Sequence, residues 1–471
     1  MKCRTPLSPL TIAIALLASG TAFAQTQNTT YNYQYDVVGN LTQITDPLGR
    51  VTNQVYDPLN RLTQQTLPAP TSGAARPIIV TGYDGQGQVV SVTDPRNLIT
   101  SYTRDGLGNL TQQQSPDTGA TVNTYDVAGN LKTSTDAKGQ LTRYTYDALN
   151  RVTSITYADN SAVTYTYDQG INGLGRLSQV SDASGSIQYI YDQRGRVLTE
   201  VRTISAISYT TGYSYDSAGR LAGITYPSGR SLVYTRDSMG RISQIDSNNN
   251  GTITIVVTQV NYQPFGGVKS YINGAGQTIS RSYDLDGRIN SYTLNNQTKA
   301  LGYDPASNIT SLTDVNNVAT TLGYDGLDRL TSALTATSSR TYGYDATGNR
   351  TSQATGSTSS TLSYAANSNK LTQITGTQTT SIATDLNGSI TNNGSNQFTY
   401  DARGRLTSAV TSVGTVQYTV NALGQRIQKS SPAGSTQYHY DSGGKLIAET
   451  SGSNGKDYVY LGDMPVAMFQ H

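Results

Sequence analysis

Few residues in this chain have the types and spacing that chemistry requires. Only His439 and His471 stand in 471 residues, so no His-Glu-x-x-His zinc pair can form. The chain contains neither a Gly-x-Ser-x-Gly elbow nor a Gly-x-x-x-x-Gly-Lys phosphate loop. His439 lies between Tyr438 and Tyr440 in an expected strand, where the imidazole is read as an ordinary exposed or half-buried side chain. The many aspartates invite a calcium hypothesis. Each stands alone at the start of a turn, however, without the clustered Asp/Asn ligands or Gly-Gly-x-Gly-x-Asp repeats of calcium solenoids, and turn capping accounts for them. Arginines after the turns, such as Arg196, Arg220, Arg288 and Arg405, could line a ligand surface. More often such residues pair across strands with Asp or cover aromatic faces. The expectation is therefore a protein that is not an enzyme, with no catalytic residue, no metal site and no cofactor.

What positions these residues is a repeat. Tyr215-Asp216-Ser217-Ala218-Gly219-Arg220-Leu221 recurs in variants at Tyr35-Asp36, Tyr125-Asp126, Tyr191-Asp192, Tyr283-Asp284, Tyr344-Asp345 and Tyr440-Asp441. A strand ends on Tyr, Asp opens a tight turn by accepting a backbone N–H two residues on, and Gly closes it at positive φ. Where Gly is replaced, Asn60, Asn150 and Asp328 take its place, the types that next best tolerate that conformation. Ser307 fits this rule poorly, and the Tyr364-Ala365 and Thr384-Asp385 copies read as worn versions.

This train of motifs resembles the Rhs/YD-repeat family of bacterial toxin shells and teneurins, over nearly the whole chain after its first residues. The resemblance implies an all-β fold: a spiral of repeated antiparallel hairpins forming a partial hollow YD-repeat shell over about residues 31 to 467. In the family a closing segment, a self-cleavage site and a variable toxin domain follow the repeats. Tyr440 to Ala467 resembles the passage into that closing region, and the chain stops at His471, so an incomplete shell is expected. Its last strand, Tyr458-Val459-Tyr460-Leu461, is then expected to be an open edge that can pair with another chain.

The residues add their own constraints. Lys2 and Arg4, the apolar run from Leu10 to Leu17, and Ala22-Phe23-Ala24 read as a signal peptide over residues 1–24, cleaved after Ala24, with a shell domain over residues 25–471. Secretion to the cell surface or periplasm follows as an expectation. The single cysteine, Cys3, leaves with the peptide, so no disulfide contributes. Removing Lys2 and Arg4 takes the basic residues from 33 to 31, equal to the 31 acidic ones. Nucleic acid and anionic membrane therefore gain no electrostatic support as partners, and no span remains after cleavage.

Counted with Gly and without Tyr, the apolar share is roughly 38 %, below the about 45–50 % of globular domains. Thr, Ser, Gln, Asn and 34 Tyr fill the deficit. This composition suits a sheet with a watery inner face, where the Tyr hydroxyl can remain wet.

Second turns such as Asp46-Pro47-Leu48-Gly49 and Asp136-Ala137-Lys138-Gly139 divide each unit into two strands. Stretches such as Leu67 to Gly73 and Gly170 to Gly173 read as loop insertions. Large apolar residues three apart, as in Leu41-Thr42-Gln43-Ile44, leave two readings: both faces are partly covered, or a bulge shifts the alternation. The expected function is a secreted, non-enzymatic shell or surface protein without its own toxin, with a toxin or a shell-completing polypeptide as partner. The alternative is a surface carbohydrate-binding module, since Tyr-rich polar sheets can stack on sugars.

Overall fold

The structure, a computed structural model, describes residues 29–471 apart from positions 265, 295 and 315. The expected signal peptide lies outside the described residues. Among those described there are forty-three strands and no helix. Each strand pairs antiparallel with the next, from Asn32–Tyr35 to Thr379–Ser381 and again from Ala383–Thr384 to Met464–Gln470. The break between the two series is one residue, Ile382, whose N–H donates to Thr372 O at 2.8 Å.

The turns form as their residue types require. Gly39, Gly219 and Gly444 have φ of 95°, 84° and 83°. Asn60, Asn150, Asp328 and even the poorly fitting Ser307 take φ between 59° and 72° at the same place. The copy that reads as worn at Asp385 is also intact, with Gly388 N donating to Asp385 O at 3.1 Å.

Every such turn is followed by an irregularity that settles the face question. Tyr35 stands opposite Leu41 while Gln34 stands opposite Gln43, so Thr42 is an extra residue. The same step separates Tyr215/Leu221 from Ser214/Gly223. This is a β-bulge, and it returns Leu41 and Ile44 to one face, opposite Tyr35 and Tyr33. The bulged Thr42 hydroxyl donates to Gln34 O at 3.2 Å, as Thr63 does to Val55 O at 3.1 Å and Thr407 to Thr399 O at 3.0 Å.

A bulge takes a carbonyl out of the ladder, and an unpaired carbonyl is costly unless another donor reaches it. Here that donor is the motif Tyr of the next unit. Tyr83 OH donates to Leu62 O at 2.9 Å, Tyr125 OH to Leu110 O at 2.8 Å, and Tyr146 OH to Leu131 O at 2.8 Å. The pattern persists through Tyr344 to Leu330 O and Tyr460 to Leu446 O, both at 2.8 Å. These hydroxyls thus join one hairpin to its predecessor, whereas Tyr56 OH donates to Gln54 Oε1 at 2.9 Å within its own strand.

The ribbon makes a second coil that runs alongside the first. Contacts advance together along both: Arg50 meets Asp328, Arg96 meets Ser368, Lys138 meets Asp385, Arg403 meets Asp182, and Tyr226 meets Tyr458. In this seam the first coil contributes mainly its second turns and the later coil mainly its Tyr-Asp turns. A dry core forms where the coils overlap most closely, with Tyr213, Ile224, Leu232, Ile245 and Val257 of the first against Ile447, Val459 and Leu461 of the second. Strands nearer the start, such as Leu41–Thr45 and Leu62–Thr66, are only half-buried.

Candidate functional site: the turn lattice and the seam

Within one turn the Asp carboxylate is saturated. Asp57 Oδ1 accepts from Leu59 N at 2.9 Å and Arg61 N at 3.0 Å, and Oδ2 accepts from Arg61 Nε at 2.7 Å. These donors hold Asp57 below the usual carboxylate range, the Arg61 backbone N–H first among them. Asp36 is lowered in the same way, led by the Asn40 amide. Carboxylates engaged like this are structural caps, and no group of three or more His, Cys, Asp or Glu suited to a metal ion occurs among the described residues.

The residue after the turn ties one unit to the next in one of two ways. Arg61 adds a bond from Nη1 to Asp84 O at 2.9 Å and lies 4.7 Å from the centre of the Tyr83 ring. Arg329 repeats this with Asp345 O at 2.6 Å and Tyr344 at 4.8 Å. Arg196 and Arg288 cover Tyr215 and Tyr303 and pair with the Asp of their own turns. Arg220 pairs with Asp216, and Arg405 donates to Asn421 O at 2.6 Å. These arginines therefore form the wall itself.

Asn supplies the second kind of tie, which the sequence reading missed. Asn40 Nδ2 donates to Asn60 Oδ1 at 2.8 Å, Asn130 to Asn150 at 2.9 Å, and Asn308 to Asp328 at 2.6 Å. The Asn or Asp at the closing position is thus a bonding partner as well as a tolerated substitute for Gly. The signal was in the sequence: each such turn follows, one unit earlier, a turn that ends in Asn.

At the seam the same groups work between coils. Arg96 donates to Ser368 O at 2.7 Å and Ala365 O at 2.8 Å, and Asn387 Nδ2 donates to Asp136 Oδ2 at 2.6 Å. The proline-containing stretch read as a loop insertion docks here, Pro70 O accepting from Gly326 N at 2.7 Å. Toward the end of the seam Asp457 is fully buried between Ser228 Oγ at 2.7 Å and Arg230 Nε at 3.2 Å. The strand expected to be an open edge is corrected by this packing. It belongs to Asn454–Leu461, which pairs on both sides, with Leu446–Ser451 and Met464–Gln470.

His439 also departs from expectation. It is 1 % exposed, with its ring 4.3 Å from that of Tyr209 and Nε2 at 3.1 Å from Thr450 Oγ1. Nearby, buried Arg202 pairs with Glu200 and donates to Gln425 Oε1 at 2.6 Å. Burial, with Arg202 adding to it, pushes the imidazole down to about 4, so it is neutral in ordinary buffers. Glu200 is pushed the other way by burial, above the usual range. His471 lies apart, Nε2 3.5 Å from Asp457 Oδ1.

A bulged hairpin spiral whose successive coils meet along an ionic seam defines a YD-repeat β-shell. The chain belongs to the teneurin YD-shell family, which matches residues 74–253 and 333–460, more than half of its length. The RHS repeat also matches, at residues 35–72 and 303–340. No curated protein matches. Among solved structures, the chain is similar to TcdB2-TccC3 without its hypervariable C-terminal region, with a TM-score of 0.76 and 16 % identity over 91 % of this chain and 27 % of that one. It is also similar to the Tc holotoxin pore of Photorhabdus luminescens, with a TM-score of 0.73 and 15 % identity over 93 % and 27 %. At such identity the likeness is one of fold, and the chain spans about a quarter of the length of either protein.

Proposed function

We propose that the chain is a secreted, non-enzymatic wall segment that encloses or helps enclose a polypeptide supplied separately, either a toxin or a partner that completes the shell. One observation carries this reading: the motif residues are spent on one another. Asp caps its own turn, Arg or Asn reaches the next turn, and the Tyr hydroxyl closes the preceding bulge. Such a lattice specifies a stiff curved sheet, and with the seam it makes a wall in which the charged motif residues serve construction. The solved shells of similar fold, TcdB2-TccC3 among them, support a carrier role.

Co-expression with candidate toxin polypeptides, followed by protease treatment of the purified complex, tests the reading. A cargo that survives digestion only with the intact chain is the expected result, whereas equal digestion with and without it would overturn enclosure. Export is tested by amino-terminal sequencing of the extracytoplasmic protein, which should begin at Gln25. A second reading, glycan binding at the cell surface, draws on Tyr31 and Tyr33, exposed and stacked at 6.5 Å. On a glycan array, saturable binding lost in Tyr33→Ala would favour it over the wall.

A further inference from the structure

Where the first strands meet the second coil, a cleft of about 430 Å³ opens, lined among others by Tyr31, Asp46, Arg50, Thr52, Asp328 and Thr347. That volume lies within the range of small-ligand sites. The two sides of the cleft come from different parts of the fold. Tyr33 stands opposite Ile44 and Ile44 opposite Thr52, so Tyr31, two residues before Tyr33, shares their face of the first coil. Asp328 and Thr347 stand in Tyr-Asp turns of the second coil. The strand Asn32–Tyr35 is exposed along its whole length, which leaves the mouth of the cleft open.

The mouth carries an aromatic pair. Tyr31 and Tyr33 are 45 % and 52 % exposed, with near-parallel rings 6.5 Å apart. Tyr83 and Tyr344 each bond a carbonyl and lie under an arginine, but neither hydroxyl of this pair has a partner among the described residues. Wall building therefore does not account for them, and a broad ring face with a wet hydroxyl is suited to stacking on the C–H face of a sugar. Charge in the cleft is balanced. Asp46 and Asp328 both pair with Arg50, at 2.5 and 2.8 Å, and Arg329, which also lines the cleft, pairs with buried Asp325. An acidic ligand would meet the two carboxylates and an amine the two guanidinium groups, so a neutral ligand fits best.

The lining also keeps hydrogen-bonding capacity in reserve. Asp328 Oδ1 takes both Arg50 at 2.8 Å and Asn308 at 2.6 Å, while Oδ2 accepts nothing among the described residues. The Thr52 hydroxyl is likewise without a partner there, and Thr347 Oγ1 is buried without one. A carboxylate oxygen accepts and a Thr hydroxyl both donates and accepts, which matches the hydroxyl groups of a sugar. An apolar ligand would desolvate Asp328 and Arg50 with no bond in return. We infer that this cleft binds a neutral oligosaccharide, one ring stacked on the Tyr31–Tyr33 pair and the next unit bonded to Asp328 and Thr52. The inference rests on the glycan reading given above and supplies its site.

An array of neutral, sialylated and sulfated oligosaccharides, followed by calorimetric titration of the full chain with the best ligand, tests site and ligand class together. Tyr31→Ala removes half of the aromatic pair and Thr52→Val one hydroxyl. Neither side chain carries a hydrogen bond among the described residues, so both variants should melt with the wild-type chain. The expected result is saturable binding of a neutral oligosaccharide, weakened about tenfold or more by Tyr31→Ala and by less in Thr52→Val. Binding lost in Tyr33→Ala but untouched by Tyr31→Ala and Thr52→Val would keep the glycan reading and overturn the cleft. A preference for sialylated or sulfated ligands would overturn the ligand class, and no binding to any sugar would overturn both the cleft and the reading on which it rests.

Discussion

The two rims of the first coil follow one turn grammar and meet opposite fates. On one rim Asp46-Pro47-Leu48-Gly49 and its equivalents are gripped by the second coil, whereas on the other the Tyr-Asp turns face solvent, with exposed tips that include Leu149 and Ile171 as well as Gln86 and Arg194. Local hydrogen bonding is alike on both: Asp46 and Asp57 each cap their own turn and bind the arginine four residues on. The turn motif therefore specifies a hairpin and its link to the next, and the residues between motif positions decide what covers the rim.

The sharpest way to break the comparison is to remove a charge from the seam. Asp457→Ala leaves Arg230 buried beside Phe469 and Ser247 without its carboxylate, and loss of one partner of a buried pair costs about 3–5 kcal/mol. The equivalent change on the free rim, Asp57→Ala, should lower the melting temperature far less. Equal losses by thermal denaturation would mean that the seam is no more committed than the rim.

The His439 cluster beside the seam offers a pH test. Folding lowers this imidazole to about 4, so below about pH 6.5 the unfolded chain takes up a proton that the fold refuses. Stability from His439 is complete above that pH and falls as pH drops toward 4, by about 3 kcal/mol in all. Glu200, whose pKa is raised, opposes the trend in acid. The measurement is therefore the difference between the wild-type chain and His439→Gln: the wild-type advantage at pH 7 should shrink by pH 4.5. A difference independent of pH would refute the burial argument.

A matched pair of glycines asks the same question of the backbone. Gly326 and Gly106 occupy the same place in their turns, neither at positive φ. A Cβ on Gly326 would lie 2.0 Å from Ala69 O across the seam, whereas one on Gly106 meets nothing within 4 Å. Gly326→Ala should cost about 1–3 kcal/mol through overpacking. Gly106→Ala should be neutral or slightly stabilising, because it narrows the unfolded ensemble. Matching denaturation midpoints for the two variants would contradict the seam as described.

Gly326 also marks where reading the sequence stops. The turns, their spacing and the all-β spiral were legible because each depends on residues within about seven positions of one another. Even the bulge was half-visible in the three-residue step from Leu41 to Ile44. Partners more than two hundred residues apart, such as Arg403 with Asp182 or Ser228 with Asp457, leave no local periodicity. For the same reason a histidine between two tyrosines gave no sign that the first coil, through Tyr209, would bury it. Gly326 reads no differently from Gly106 until the neighbouring coil is in view.

The smallest effect concerns what lies between local and distant, the link from one unit to the next. If Asn60 serves only its own positive φ of 62°, Gly should replace it without loss. If it also accepts the Asn40 amide at 2.8 Å, Gly removes that bond while relieving the backbone. The bond is worth about 0.5–1.5 kcal/mol, and its exposure places it at the low end. Asp separates the two effects, because Asp328 already plays this part toward Asn308 at 2.6 Å and with φ of 59°. The expected order of stability is therefore Asn60 equal to Asn60→Asp and both above Asn60→Gly, read from urea midpoints. The reverse order, with Gly highest, would return Asn60 to a conformational role and leave the backbone ladder between Leu41–Thr45 and Val51–Tyr56 to carry the link between these hairpins.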